Sequence, residues 1–338
     1  MRIYRGIHHR ELREPAGSAG CALTIGNFDG VHRGHQAMLA LLNNEARHRG
    51  LPSCVLSFEP HPRDFFAARS GRAELAPARI ATLRDKLAEL RRCGIDRTVV
   101  LRFDARLAAL SPDTFVDEVL VRGLNARYVL VGDDFRYGAK RAGDYAALDA
   151  AGERCGFDVA RMLSYEVHGE RVSSSTVRAA LAAGDMARAA ALLGRPYAIS
   201  GHVVHGARLG RTLGESAPGA GDGFRTLNLR FAHWRPAASG IFIVRTFGLD
   251  ERALPGVANL GVRPGIDTSG RVLLEVHCLE WPAGLPEVYG RVVQVELLHK
   301  LHDERHYPDL AALREGIADD VVQARRWWTA RAAERPRR

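Results

Sequence analysis

The stretch with the most chemical information is residues 26–35, Gly-Asn-Phe-Asp-Gly-Val-His-Arg-Gly-His. It follows an apolar run that predicts a strand and leads into a pattern that predicts a helix. The N-terminus of a helix presents free N–H groups and the positive end of a dipole, which favour a phosphate. His32 and His35 are three residues apart at this helix entrance, so both rings can reach the same phosphate. Imidazole donates hydrogen bonds and can gain charge as a transition state develops.

The neighbours of the two histidines are predicted to form the nucleotide-binding loop. Because glycine has no Cβ, the backbone at Gly26 and Gly34 can approach a ligand closely. Asn27, Phe28 and Asp29 complete the loop between them. Two solvated histidines at a helix start are the alternative interpretation. His-x-Gly-His directly after a strand and Gly-Asn-Phe-Asp-Gly is far more specific than a lone histidine, so we favour a nucleotide site.

A second hydroxyl-rich segment opens another predicted helix. Ser173, Ser174 and Ser175, with the N–H groups of that helix, can cradle a triphosphate. Arg178 lies one turn further on, where it can meet the charge of the leaving group. Taken alone, the segment is better explained as a polar N-cap. Because this segment is in the same domain as the His-x-Gly-His helix, we favour its interpretation as a phosphate cradle.

Two more loops follow predicted strands and fall at the same edge of the sheet. Residues 58–62, Phe-Glu-Pro-His-Pro, hold His61 between prolines that stiffen the loop. Residues 132–138, Gly-Asp-Asp-Phe-Arg-Tyr-Gly, carry Asp134 and Arg136, which can meet ribose or phosphate. A structural salt bridge is the alternative for an aspartate and an arginine so close together. We predict that all three side chains line the nucleotide crevice.

The first half of the chain alternates short apolar runs with helical patterns. This order predicts a parallel, Rossmann-like sheet covered on both faces. The strands are expected at residues 21–26, 53–58, 97–103, 127–132 and 158–163, and the helices at 34–49, 79–93, 112–122, 143–155, 174–183 and 185–193. Ligands bind at the carboxyl ends of the strands in such sheets, which is where the loops above lie.

From residue 197 onward the pattern is strand after strand, punctuated by glycine and proline. This is typical of a small antiparallel barrel or sandwich. The strands are expected at residues 197–204, 226–231, 240–247, 257–261, 271–280 and 291–299, before a last helix at 308–330. We therefore predict two domains, residues 1–193 and 194–338.

Thr226 and Asn228 are the strongest metal-ligand candidates in the second domain. Strand alternation places them on one face, with the intervening leucine on the other. A hydroxyl and an amide carbonyl are hard oxygen ligands that suit Mg²⁺ and leave room for water and phosphate. A polar pair on a solvated strand face is the alternative, and it is preferred on the residues alone.

Composition limits the classes of partner. The net charge of +9 suggests an anion preference, but only three of the 48 basic residues are lysines and the arginines are scattered. This indicates codon bias, so we expect no nucleic-acid partner. No apolar run is long enough to span a membrane and no secretory signal is visible. The five cysteines include no Cys-x-x-Cys pair, so the sequence indicates neither a disulfide framework nor a zinc site. We therefore expect the reducing environment of the cytoplasm.

Taken together, these motifs resemble the adenylyltransferase half of bacterial bifunctional riboflavin kinase/FAD synthetases. The resemblance continues from residues 193–197 to the last helix, so it covers nearly the whole chain. It implies a nucleotidyltransferase fold followed by a β-barrel. It also implies ATP-dependent phosphorylation of riboflavin to FMN, then transfer of AMP from ATP to FMN to give FAD and pyrophosphate, with Mg²⁺ on the triphosphates.

In the kinase half, the resemblance gives roles to three sets of residues. Gly206, Gly210 and Gly214 would cover the nucleotide phosphates, although a purely structural glycine loop is common. Thr226 and Asn228 would hold the metal and the nucleotide. Glu275 would take the proton from the terminal ribityl hydroxyl of riboflavin, with His277 on the same strand face.

The chain departs from the family pattern beside the expected kinase site. Residues 215–223 are inserted, Arg225 stands where the family has proline, and Gly265 replaces a threonine. Because Thr226, Asn228 and Glu275 remain, we expect kinase activity to survive. An FAD synthetase with an impaired kinase barrel is the first alternative. A non-catalytic flavin- or nucleotide-binding module is the second.

Overall fold

A computed structural model describes residues 1–12, 20–167, 169–205, 226–230, 235–262, 272–282 and 288–333. Gly206, Gly210, Gly214, the insertion at 215–223, Arg225 and Gly265 therefore lie outside the described residues. The chain forms two compact units. Unit 1 comprises Met1–Pro77 and Lys86–Ser174, and unit 2 comprises Ala78–Asp85 and Ser175–Arg338. The predicted domain division between residues 193 and 194 stays a prediction.

Unit 1 is built on a six-stranded parallel sheet, as predicted. In spatial order, its strands are β1 (Arg2–Arg5), β4 (Arg97–Arg102), β3 (Ser53–Glu59), β2 (Cys21–Ile25), β5 (Ala126–Gly132) and β6 (Asp158–Met162). Each of the five predicted strands is present within one or two residues of its expected ends. β1 was not predicted, because a four-residue edge strand leaves too little pattern.

The helices of unit 1 cover both faces of the sheet. They are α1 (Arg33–His48), α2 (Pro62–Arg69), the Lys86–Arg92 part of α3 (Leu83–Arg92), α4 (Ala105–Ala108), α5 (Pro112–Phe115) and α6 (Tyr145–Cys155). α5 continues as a π-helix over Val116–Val121. Successive residues of β2 point to opposite faces, so Leu23 joins the core under α5 and α6, and Ala22 joins the core under α1.

Two helices begin later than predicted, and one helix was not predicted, each for a visible reason. α6 begins at Tyr145 because the backbone of Gly143 pairs with Tyr137 and Asp144 caps the helix. The helix predicted from residue 79 begins only at Leu83, because the backbone of Arg79 bonds in extended form to residues 235 and 237. α2 follows the Pro-His-Pro turn and was missed, since its eight residues carry little amphipathic signal.

Unit 2 contains a closed barrel, which settles the choice between barrel and sandwich. Around the barrel the strands are β10 (Thr226–Arg230), β13 (Val272–Cys278), β12 (Leu254–Val262), β11 (Gly240–Phe247), β14 (Val292–His302) and β9 (Tyr197–Val204). All the pairings are antiparallel. Leu274 and Val276 of β13 are fully buried and their neighbours are not, which is the alternation of a filled barrel.

Helices accompany the barrel. α7 (Ser174–Ala182) and α8 (Met186–Leu193) precede it in the chain, and α8 packs against β9 and β14. The last helix, α9 (Leu310–Ala333), lies against the outer barrel wall, where Ala324 packs with Ile243 and Val257. Between β14 and α9, the Nε2 of His302 and the Oδ1 of Asp320 lie at hydrogen-bond distance, 2.7 Å apart. Within the described ranges, no helix is both long enough and apolar enough to cross a lipid bilayer.

A short hairpin, β7 (Glu166–Val167) with β8 (Glu170–Arg171), lies in unit 1 ahead of α7 in the chain. Arg171 of the hairpin bonds to Asp133 at 3.2 Å, at the end of β5. This contact ties the hairpin to the carboxyl edge of the sheet.

The segment 78–85 belongs to unit 2, and Asp85 is its buried carboxyl group. Its Oδ2 accepts hydrogen bonds from the backbone N–H of Ser200 at 3.2 Å and from the hydroxyl of Thr82 at 2.7 Å. Burial raises the pKa of Asp85, and the hydrogen bonds from Ser200 and Thr82 reduce the rise. At a pH between the pKa of Asp85 in the unfolded chain and its higher pKa in the folded protein, the carboxyl group is ionised only in the unfolded chain. The free energy of unfolding therefore falls as the pH rises through that interval.

Asp85→Asn keeps an acceptor oxygen for both hydrogen bonds and removes the ionisation. We therefore expect the Tm of the variant to rise relative to wild type as the pH increases from about 4 to about 7. Thermal unfolding followed by circular dichroism measures this difference. Asp250→Asn, which changes an exposed carboxylate in the same unit, is the control and should keep the wild-type pH profile. A constant difference between Asp85→Asn and wild type at all pH values would contradict the assignment.

Candidate functional site

The first candidate site lies at the carboxyl end of β2, the strand between β3 and β5. The chain leaves β2 toward β3 on one side and returns to β5 on the other, so the strand order reverses here. Crevices that bind ligands form at such a reversal in open parallel sheets. Residues 26–35 leave the sheet at this point and enter α1 at Arg33.

The loop before α1 is fixed by two buried apolar side chains. Phe28 and Val31 are 1% and 0% exposed, and both have the positive φ that side chains seldom adopt. The N–H of Gly26 donates to the carbonyl of Leu56 on β3 at 3.0 Å. A Cβ on Gly26 would lie 3.1 Å from the Phe28 ring, so the backbone of Gly26 packs closely against this ring.

His32 and His35 form a stacked pair at the start of α1. Their ring centroids are 3.6 Å apart with the planes 16° from parallel, and the Phe28 ring lies 5.0 Å from that of His35. His32 is the N-cap of α1, because its Nδ1 accepts the backbone N–H of His35 at 3.3 Å. With Nδ1 acting as acceptor, the ring proton of neutral His32 is on Nε2, which is the atom able to donate.

The serine segment meets the same loop. The hydroxyl of Ser174 donates to the carbonyl of Asp29 at 3.4 Å. A Cβ on Gly34 would lie 3.2 Å from the carbonyl oxygen of Val172, so the two segments are in close contact at that glycine. The structure thus brings Ser173 and Ser174 beside the His32–His35 pair in unit 1.

Ser175 and Arg178 continue α7 in unit 2. The Nε of Arg178 donates to the carbonyl of Ala78 at 2.7 Å, which holds the guanidinium at its base. The predicted contact of these two residues with phosphate stays a prediction.

His61 has a structural role, as a helix cap, that the sequence did not predict. Its Nδ1 accepts the backbone N–H of Arg63 at 3.1 Å, so it caps α2. The ring is buried at the end of β3, beside the Pro60 and Pro62 turn. Its contribution to nucleotide binding stays a prediction.

Asp134 and Arg136 lie in the loop after β5, and both are exposed. Arg136 pairs with Asp144, the N-cap of α6, at 3.4 Å. The salt-bridge alternative for Arg136 is thus realised with Asp144. A nucleotide would have to compete with this exposed pair, which is worth at most about 1 kcal/mol.

Lys86 is a residue of this region that sequence reasoning missed. It is 1% exposed, and its Nζ donates to the hydroxyl of Ser57 at 3.2 Å. Ser57 in turn donates to the carbonyl of Asn27 at 3.3 Å, and Glu59 lies 3.9 Å from the ammonium. A buried cation thus supports the loop from below. In a chain with three lysines among 48 basic residues, the choice of lysine here was the available signal.

The second candidate site lies on the outer wall of the barrel. In the register of β10 with β13, Asn228 pairs with Glu275 and Thr226 with His277. Paired residues on antiparallel strands place their side chains on the same face, with Cβ atoms about 5 Å apart. Leu227 and Leu229 point inward and are 1% and 0% exposed. All four polar residues therefore share the outer face.

Asn228 is the most buried member of this group, at 6% exposure. Its Oδ1 has no hydrogen-bond partner among the residues that the structure describes. A buried acceptor without a partner costs about 1–3 kcal/mol, so it indicates a ligand at this place. No group of three histidine, cysteine, aspartate or glutamate side chains in the described part of the chain could hold a metal ion.

In comparisons with known proteins, two family models match the chain, and each covers the part that holds one of the two candidate sites. The FAD synthetase family model matches residues 14–176, and the riboflavin kinase family model matches residues 193–328.

Two relatives and one solved structure extend this comparison. The bifunctional riboflavin kinase/FMN adenylyltransferase of Escherichia coli K12 is 44% identical over 97% of this chain and 98% of its own length. The protein of the same description from Pseudomonas fluorescens is 43% identical over 96% and 97%. A crystal structure described as a macrolide-efflux protein from Streptococcus pneumoniae has a TM-score of 0.72, with 23% identity over 97% of this chain and 100% of that one. At that identity it supports the fold alone.

The capping role of His32 can be separated from any chemical role by two substitutions. His32→Ala removes the cap of α1, which typically costs about 1 kcal/mol, together with the stacked ring. His32→Asn supplies a good cap in place of the imidazole, so we expect it to recover most of the lost free energy of unfolding. Urea unfolding of the two variants and the wild type measures this. Equal destabilisation by alanine and asparagine would contradict the capping role.

Proposed function

Since this chain belongs to the bifunctional riboflavin kinase/FMN adenylyltransferase family, we propose that its two described sites perform the two reactions. The chain phosphorylates riboflavin to FMN with ATP, and transfers AMP from ATP to FMN to give FAD and pyrophosphate. We assign the adenylyl transfer to the domain at residues 1–193 and the phosphorylation to the domain at 194–338. The pairing of Asn228 with Glu275 on one barrel face is the observation that argues most directly for an intact kinase site.

The adenylyl transfer needs positioning and charge stabilisation more than an activated nucleophile. A phosphate oxygen of FMN attacks the α-phosphorus of ATP, and the bond to the pyrophosphate oxygen breaks. Nε2–H of His32, the neighbouring His35 and the N–H groups at the start of α1 offer donors for the charge that develops. Ser173 and Ser174 add hydroxyls from the adjoining segment, and Arg178 is proposed to meet the leaving pyrophosphate.

Five loop residues are proposed to bind the nucleotide: Gly26, Asn27, Phe28, Asp29 and Gly34. The support is local. The Oδ1 of Asn27 is buried without a hydrogen-bond partner among the described residues. The close packing of Gly26 and Gly34 allows the backbone to line the crevice. His61, Ser175, Asp134 and Arg136 are proposed to complete its rim.

In the kinase reaction, Glu275 is proposed as the general base. It takes the proton from the terminal hydroxyl of the ribityl chain while that oxygen attacks the γ-phosphorus, and ADP leaves. Glu275 is half-buried on the outer barrel face beside Asn228. Gly206, Gly210 and Gly214 are proposed to cover the phosphates, on the strength of their spacing in the sequence.

Thr226 and Asn228 fit Mg²⁺ as neutral oxygen donors. The buried Oδ1 of Asn228 has no partner in the described part of the chain, and the side chain of Thr226 lies on the same face two residues away. A bound Mg²⁺ would supply charge neutralisation on the ATP phosphates. We propose a cytoplasmic enzyme whose partners are these small molecules, with no nucleic-acid or membrane partner.

The adenylyltransferase site is tested by His32→Asn and His35→Ala. Because each removes a donor to the developing charge while the fold is kept, we expect FAD formation from FMN and ATP to fall by about hundredfold or more. Riboflavin phosphorylation should be unchanged in both variants. His48→Ala, at the exposed end of α1, is the matched control. Full FAD synthesis by both variants would reject the site.

The kinase site is tested by Glu275→Gln, which keeps the size of the side chain and removes the base. FMN formation from riboflavin and Mg-ATP should fall by about hundredfold or more, while FAD formation from supplied FMN stays at the wild-type rate. Glu280→Gln, an exposed change just after β13, is the control. If the wild-type protein made FAD from FMN but no FMN from riboflavin, the kinase function would be rejected and the protein would be an FAD synthetase only.

A further inference from the structure

A third polar residue extends the row of Asn228 and Glu275. In the register of β12 with β13, Asn259 pairs with Glu275 from the side opposite Asn228. Antiparallel partners share a face, so all three side chains lie on the outer wall of the barrel. The carboxylate of Glu275 thus has a carboxamide on each side. Neither the motifs nor the resemblance pointed to Asn259.

Asn259 shares an unusual property with Asn228. The Oδ1 atom of each is buried and has no hydrogen-bond partner among the residues that the structure describes. Polar atoms in such positions are rare in folded proteins, because leaving an acceptor dry costs about 1–3 kcal/mol. Two such oxygens, one on each side of a candidate base, indicate that a ligand supplies the missing donors.

The charges near Asn259 decide which kind of ligand fits. On one side lies Glu275, and two residues further along the same face of β12 the side chain of Glu304 lies against Gly261. Two carboxylates so placed disfavour the phosphates of a nucleotide at Asn259. An uncharged hydroxyl group, by contrast, donates a hydrogen bond to a carboxamide oxygen without such a penalty.

The other flank of Glu275 differs. Asn228 has Thr226 on the same strand face, and these two oxygens suit a metal ion and the phosphates that it carries. The row across β10, β13 and β12 therefore has a phosphate side, a base and a hydroxyl side. Neighbouring strands are about 4.8 Å apart, so Glu275 and Asn259 can contact two different hydroxyl groups of one hydroxylated carbon chain.

We infer that Asn259 binds a secondary hydroxyl of the ribityl chain of riboflavin, while Glu275 takes the proton of the terminal one. The inference rests on the proposed kinase function and assigns the acceptor side of that site to β12. Asn259 is a substrate-binding residue in this scheme. Its Oδ1 accepts the hydroxyl hydrogen and so orients the chain toward the γ-phosphate.

The test is Asn259→Leu, with Asn259→Ala as a second variant and Gln294→Leu as the control. Gln294 is a half-buried carboxamide on β14, outside the row. Because the Oδ1 of Asn259 has no described partner, we expect Asn259→Leu to keep or raise the Tm of the free protein. A purely structural asparagine would instead lose stability.

In steady-state FMN formation, the KM for riboflavin should rise by about tenfold in both Asn259 variants, the loss of one hydrogen bond. The KM for ATP, the Mg²⁺ requirement and FAD formation from FMN should be unchanged. A flavin whose side chain is a hydroxypentyl group, with the terminal hydroxyl alone, should be used equally well by wild type and by Asn259→Leu.

Three results would overturn the inference. An unchanged KM for riboflavin in both variants would do so, as would an equal rise in the KM for ATP or in the Mg²⁺ requirement. A hydroxypentyl flavin that discriminates wild type from Asn259→Leu as strongly as riboflavin does is the third. A wild-type protein that forms no FMN at all would instead reject the kinase function itself, so the two failures are distinguishable.

Discussion

The burial of Phe28 is the interaction on which the first site depends. Its ring lies in the core under α1 while its backbone, three residues beyond the end of β2, is in the left-handed region, and Val31 repeats this three residues later. A left-handed conformation costs about 1–2 kcal/mol per residue, and burying an apolar side chain of this size returns about 1.5–3 kcal/mol. The turn is therefore held by the core. It places His32 at the helix cap and aims the free end of α1 at the crevice.

Both sites bring polar groups together, but different backbone structures position those groups. In unit 1, donors come from a helix terminus and from side chains at the carboxyl edge of a parallel sheet. In unit 2, two carboxamides and a carboxylate are set out in a row by the register of three antiparallel strands. The arginines that produce most of the net charge of +9 are scattered along the sequence. The buried Lys86, by contrast, bonds to Ser57, which bonds in turn to the loop of the first site.

Periodicity predicted the fold closely, because strands buried on two faces and barrel strands with alternating faces leave strong patterns. The parallel sheet, the barrel and the last helix are confirmed. The predictions that failed concern segments whose backbone forms hydrogen bonds with distant residues, which the local sequence does not display. Arg79 sits in a helical pattern, but its backbone is taken by residues 235 and 237. Motif spacing brought His32, His35 and Ser174 together, whereas Lys86 and Asn259 depend on packing and register between distant segments. The capping of α2 by His61 is likewise a property of the folded turn that the residue types do not display.

Closure of the barrel also restricts how this protein can change over generations. Every strand of the ring has neighbours on both edges, so loss or gain of a single residue within β13 would turn Glu275 inward and Leu274 outward. Length variation is therefore tolerated most easily in the connections between strands. The segment 215–223, predicted to be an insertion, lies in the sequence between β9 and β10, outside the strands whose register sets the row of Asn228, Glu275 and Asn259. The phase of β10, β13 and β12 is thus the property most exposed to a change of length within a strand, because it sets which residues of the row face outward.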